Sequence, residues 1–161
     1  MGETEQQTYK SPTQGGAMEE RAWNILLFED DADDIFLLNK TLNDVARDRF
    51  RLKTVTRLAE GMDLAAQQVF DVVLLDLTLP DSHGLETFYD FHQHFPELPV
   101  VVLTGLDDED TAIRAVHEGA QDYLVKGHDN GALLVRAMLY ARERQRALRY
   151  QALLLQRENI D

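Results

Sequence analysis

The stretch ILLFEDDADD, Ile25 to Asp34, sets four apolar residues before five acids in six positions. Crowded carboxylates repel, and each raises its neighbours' pKa unless a cation or water relieves the charge. One reading is a solvated loop whose aspartates cap the next helix. The other is a metal site, and the downstream sequence favours it. DVVLLDL places Asp76 near the end of a second apolar run, PVVVLTG ends a third in Thr104 and Gly105, and DYLVK closes on Lys126. Carboxylates, a hydroxyl and an ammonium gathered in one crevice would bind a hard divalent cation through oxygen and leave room for a phosphoryl group. In that chemistry Glu29 and Asp30 hold Mg2+, and Asp76 is the nucleophilic carboxylate that forms an acyl phosphate. Lys126, as a point charge, and Thr104, as a hydroxyl donor, contact phosphoryl oxygens.

Such a crevice needs a scaffold that brings four separate segments to one edge. From Trp23 onward short apolar runs alternate with longer amphipathic stretches, the pattern of βα units around a parallel sheet. The runs at 24–28, 71–77 and 99–105 are short and β-branched enough for strands buried on both faces. Weaker runs at 51–55 and 122–126 complete a set of five. Helices are expected at 33–45, 58–68, 85–95 and 108–118, and from about Asn130 onward, with Gly119, Pro96 and Pro99 as stop signals. The expected fold class is α/β: a five-stranded parallel sheet, doubly wound and flavodoxin-like, with its site outside the carboxyl ends of the strands.

A chain of 161 residues has room for one domain with tails. Its 29 acids against 16 lysines and arginines give a net charge of -13, a surface that repels nucleic acid and anionic lipid. The absence of cysteine excludes disulfides and thiolate metal sites. No apolar run approaches the roughly 20 residues of a membrane span, and a cytoplasmic location is the default. Residues 1–22, rich in Gln, Thr, Gly and Glu, read as a disordered leader. Residues 23–141 read as the domain, and 142–161 as a C-terminal helical extension.

The acidic pair after the first strand, LLDLTLPDSHG around Asp76, VVLTG and DYLVKG occur together in one five-unit α/β chain. In that order and with those separations the chain resembles the receiver domain of two-component response regulators, over about Asn24 to Ala141. The resemblance implies phosphoryl transfer to Asp76 from a histidine kinase or a histidine phosphotransfer protein. It further implies a Mg2+ site of Glu29, Asp30, Asp76 and the backbone carbonyl of Thr78, and a switch pair of Thr104 and Tyr123. Thr78 and Leu106, each two residues past a site residue, become modulators of phosphoryl lifetime, with slow autodephosphorylation and no turnover of a separate substrate. Tyr123 reads equally as a plain core aromatic. Lys126 precedes Gly127 where the family usually has proline, which implies a more mobile loop.

A Mg2+-dependent phosphatase or phosphomutase with Asp76 as nucleophile is the competing enzyme class. Such enzymes place a second acid two residues past the nucleophile, and here that position is Thr78. A third reading, a degenerate scaffold, conflicts with the intact residue set. Pro80, Asp81 and Gly84 read as turn chemistry. The histidines His83, His92, His94, His117 and His128 do not cluster with the acids and are expected at the surface.

After Gly131 the last helical pattern runs on without Pro or Gly. Leu134, Met138, Ala141, Gln145, Leu148, Ala152 and Leu155 are spaced alternately four and three, a heptad seam. The expectation is a homodimer through a parallel or antiparallel helical pair over Leu134 to Leu155, because a lone helix is marginal in water; the alternatives are a fold-back onto the domain or a linker helix that feeds an output domain. Within these 161 residues a DNA-binding output module is not expected.

Overall fold

A computed structural model describes residues 21–127 and 131–158. The expected leader lies almost wholly outside the described residues, as do His128 and the loop after Gly127. In chain order the elements are β1 (Trp23–Phe28), α1 (Ala32–Val45), β2 (Phe50–Val55), α2 (Leu58–Gln67) and β3 (Val72–Asp76). A two-stranded ribbon follows, β4 (Thr78–Leu79) and β5 (Ser82–His83), then α3 (Leu85–His94), β6 (Val100–Thr104), α4 (Glu109–His117), β7 (Asp122–Val125) and α5 (Gly131–Glu158). The five main strands form one parallel sheet in the order β2-β1-β3-β6-β7, and every expected strand and helix is present within one or two residues of its expected ends.

Alternation along the central strands divides the core in two. Leu26, Phe28, Val73, Leu75, Val100 and Val102 pack toward α2, α3 and α4 through Leu58, Phe88, Phe91 and Ala112. Ile25, Leu27, Leu74, Val101 and Leu103 pack toward α1 and α5 through Leu42, Leu134 and Met138. Strands β3 and β6 are buried throughout, which is why their sequence is a continuous apolar run rather than an alternating one. A Cβ at Gly61 of α2 would come within 2.0 Å of the Phe28 ring, so only glycine lets this helix approach the sheet so closely.

Helix α5 is one unbroken element of 28 residues, but its stripe has two fates. Leu134, Met138 and Ala141 are buried in the domain's own core, each large apolar side chain there contributing roughly 1.5–3 kcal/mol. This corrects the expected seam: its first three members are covered from within the chain and are not available to a second helix. Arg142 lies 4.2 Å over the Trp23 ring and 3.6 Å from Asp71. Gln145 accepts a hydrogen bond from the Gln121 side chain at 3.2 Å, and Arg144 donates to the Gln121 carbonyl at 3.0 Å. From Arg146 to Glu158 every residue is exposed. Among the described residues no helix is long and apolar enough to cross a membrane.

Candidate functional site

Backbone register assembles the crevice. β1 hands over to Glu29, whose N–H donates to the Val55 carbonyl at 3.0 Å. Asp76, the last residue of β3, pairs with Leu103, and Thr104 pairs with Val125. The Lys126 N–H then donates to the Thr104 carbonyl at 2.7 Å, so β7 delivers Lys126 to the same row. Four strand ends, those of β1, β3, β6 and β7, thus meet at one edge, as the alternation of runs implied.

Carboxylate oxygens of Glu29, Asp30 and Asp76 all lie within 4.8 Å of one another. Glu29 and Asp76 are buried at 2% and 7% exposure, while Asp30 faces solvent. The Lys126 ammonium sits 2.5 Å from Glu29 Oε2, 2.6 Å from Asp76 Oδ2 and 3.2 Å from Asp34 Oδ2. Burial pushes the Glu29 carboxyl up to about 7; the hydrogen bond from Lys126 opposes that rise and the Asp76 charge adds to it. Burial would ease the proton off Lys126, but hydrogen bonds to Asp76 and Glu29 outweigh it and hold the ammonium above its ordinary value. Acidity concentrated this tightly, partly dry and half open to solvent, is a donor set for a hard cation such as Mg2+. The described residues therefore fit such an ion.

The acidic run divides between two surroundings. Asp31 is the N-cap of α1, its carboxylate accepting from the Asp34 N–H at 2.9 Å, while Glu29 and Asp30 serve the crevice. Asp34, not singled out from the sequence, reaches Lys126 from the first turn of the helix. Asp76 Oδ1 accepts from the Thr78 N–H at 3.0 Å, which fixes the carboxylate against the ribbon. Asp81 does more than shape a turn: its two oxygens accept from the Leu58 and Ala59 N–H groups at 2.8 and 3.0 Å and cap α2 across 23 and 22 residues. Arg57, the N-cap by position, makes no side-chain cap. No short-range signal betrays a cap supplied from so far along the chain.

Thr104 is buried and its hydroxyl donates to the Gly105 carbonyl at 3.1 Å. The Tyr123 ring packs half-buried against the α2–α4 side of the core, and its hydroxyl donates to Glu109 at 2.9 Å. Leu106 is 69% exposed and Thr78 is exposed as well. Gly127 has φ 85°, a value closed to the proline usual there, whose ring locks φ near about -65°. His83, His94 and His117 are exposed as expected. His92 is not: it stacks on Phe88 with ring centroids 5.0 Å apart, its Nδ1 is buried without a hydrogen-bond partner, and burial lowers its pKa. Its place at the eighth position of α3, four residues after Phe88, puts it on the helix's inner side.

Comparison with known proteins agrees with this geometry. The family model of the response regulator receiver domain matches residues 25–138. The response regulator protein PilR of Pseudomonas aeruginosa is 35% identical over 108 residues, 67% of this chain and 24% of PilR. The cell cycle response regulator CtrA of Brucella ovis is 31% identical over 115 residues, 70% of this chain and 47% of CtrA. The chain thus spans less than half the length of these relatives. A receiver domain crystal structure from Clostridium thermocellum superposes with TM-score 0.68 at 26% identity, covering 78% of this chain and 98% of that one. NtrX from Brucella abortus gives TM-score 0.70 at 26% identity over 83% of this chain and 30% of its own. These matches lend no support to a phosphatase. With strand ends, acidic cluster and lysine all in register, the chain belongs to the receiver domains of two-component response regulators, which are signalling domains.

Proposed function

We propose that this receiver accepts a phosphoryl group on Asp76 from a phosphohistidine, on a histidine kinase or a histidine phosphotransfer protein. An Asp76 carboxylate oxygen attacks phosphorus and forms the O–P bond as the N–P bond breaks; that bond's electron pair goes to the nitrogen, and the phosphohistidine ring, already protonated at its other nitrogen, leaves as neutral imidazole. Glu29, Asp30, Asp76 and the Thr78 backbone carbonyl would hold Mg2+, which when bound offsets repulsion between the incoming phosphate and the carboxylates. Lys126 stabilises the transferred oxygens as a fixed charge, and Thr104 supplies a hydroxyl donor. Thr104 and Tyr123 act as the switch pair, with Thr78 and Leu106 controlling how water reaches the acyl phosphate. We place the protein in the cytoplasm.

The observation that carries this reading is the Lys126 ammonium held between Asp76 and Glu29. Intact-protein mass after incubation with a small phosphodonor tests it. One added phosphoryl group is expected with Mg2+ and none with excess chelator or in Asp76→Ala. Labelling that persists in either control overturns it. Pairing between two copies along the heptad stripe is left to its exposed Arg146–Glu158 portion, since Leu134, Met138 and Ala141 are already buried.

A further inference from the structure

Beside the crevice lies a groove of about 970 Å3 between α1, β7 and the start of α5. Its lining joins the apolar Leu37, Leu124 and Leu134 to the acids Asp34, Asp44, Glu109 and Asp122 and the bases Lys40 and Lys126. Asp44 and Asp122 are exposed, and Leu37 is 55% exposed. A groove lined by acids and apolar side chains together suits a helix that is both apolar and basic.

This chain carries such a helix. Positions 146, 149, 153 and 157 of α5 share one helical face by their three- and four-residue spacing, and they read Arg, Arg, Leu, Arg. Tyr150 and Leu154, 64% and 41% exposed, border that face. The same chain's groove is out of its reach. Leu134 lines the groove from the first turns of α5, and at about 1.5 Å per residue Arg146 to Arg157 lie roughly 18–35 Å further along the axis. Nothing in the unbroken helix permits a return, there being no Pro or Gly after Gly131.

A parallel coiled coil between two copies fits the charges badly. On the seam of Gln145, Leu148, Ala152 and Leu155, Arg144 and Arg149 take flanking positions that face each other across the pair, and like charges there repel. We propose instead that α5 residues 146–158 of one copy lie in the acidic groove of a second copy, and reciprocally, which makes the homodimer an exchange of basic helices. The inference rests on self-association through the distal half of α5. Because Glu29, Asp34, Lys126 and Tyr123 also line the groove, a docked helix borders the acceptor crevice, and occupancy of one affects the other in both directions.

A charge swap tests it on the full chain. The groove variant carries Asp44→Lys with Asp122→Lys, and the helix variant carries Arg146→Glu with Arg149→Glu. Light scattering at micromolar concentration should give twice the 18.4 kDa chain mass for the parent and the single chain mass for each variant alone. An equimolar mixture of the two should return to twice the chain mass, since each groove then meets a helix of opposite charge; a misfolded variant would give no such rescue. A groove variant that stays dimeric overturns the groove as the receptor while leaving self-association through α5 standing. Monomeric parent protein overturns both, and a mixture that stays monomeric overturns the exchange.

Discussion

The crevice at the strand ends and the distal half of α5 are both dense in charge, and they differ in what surrounds it. In the crevice the Lys126 ammonium has three carboxylates within 3.2 Å, two of them buried. Along α5, Arg146, Arg149 and Arg157 are exposed. Buried charge has to be compensated within the fold, because its desolvation is costly. Exposed charge carries no such requirement, so its partner is set by whatever meets it. The first kind leaves a trace in the sequence as matched residue types at matched strand ends; the second records a face without naming what covers it.

Substitutions that cross this divide should separate by size. Met138→Ala, in the buried part of α5, should cost about 2–5 kcal/mol in chemical denaturation, whereas Leu148→Ala on the same helix should stay within about 0.5 kcal/mol for the monomer. Equal losses would mean that the body extends further along α5 than Ala141. Lys126→Met should cost about 2–3 kcal/mol without metal, less than the roughly 3–5 kcal/mol of a fully buried pair because the lysine is 23% exposed. Its counterpart Arg146→Met should change the stability of the monomer by no more than about 0.5 kcal/mol. A Lys126→Met protein as stable as the parent would break the contrast.

Asp81 lies between these extremes, exposed but paired with two backbone N–H groups. Asp81→Ala should lose about 1 kcal/mol at neutral pH through the missing α2 cap. Burial nudges its carboxyl up, but the Ala59 and Leu58 N–H groups outweigh that and hold it below the ordinary aspartate value. A carboxyl lowered in the fold contributes stability above its unfolded pKa and loses it as pH falls through the folded one. The gap between parent and variant should therefore close as pH drops below about 4, read from melting temperature against pH. A gap unchanged down to strongly acidic pH would show that the cap does not depend on the charge.

Legibility followed the same divide. Five strands and five helices were readable because the β3 and β6 runs are too apolar for anything but a covered sheet, and the helices end at Gly119 and before Pro96. Glu29, Asp30, Asp76, Thr104 and Lys126 were readable because each follows or ends a strand, and parallel strands end together. The cap from Asp81 to α2 was not, because it joins segments more than 20 residues apart. Nor was the burial of His92, whose ring fills space over Phe88 that only tertiary packing creates. The heptad stripe of α5 was read correctly as amphipathic, but periodicity alone does not distinguish a sheet from a second helix as the surface that covers it.

Phosphoryl transfer should turn the Asp76 carboxylate into an acyl phosphate. Borohydride reduces an aspartyl phosphate to homoserine, so protein treated with phosphodonor and Mg2+, reduced and then mapped by peptide mass, reports the acceptor directly. Homoserine at position 76, absent when chelator replaces Mg2+, is the expected result. Homoserine at position 30 or 31 instead, or a phosphorylated protein with aspartate intact at 76, would place the acceptor elsewhere and overturn the assignment of Asp76.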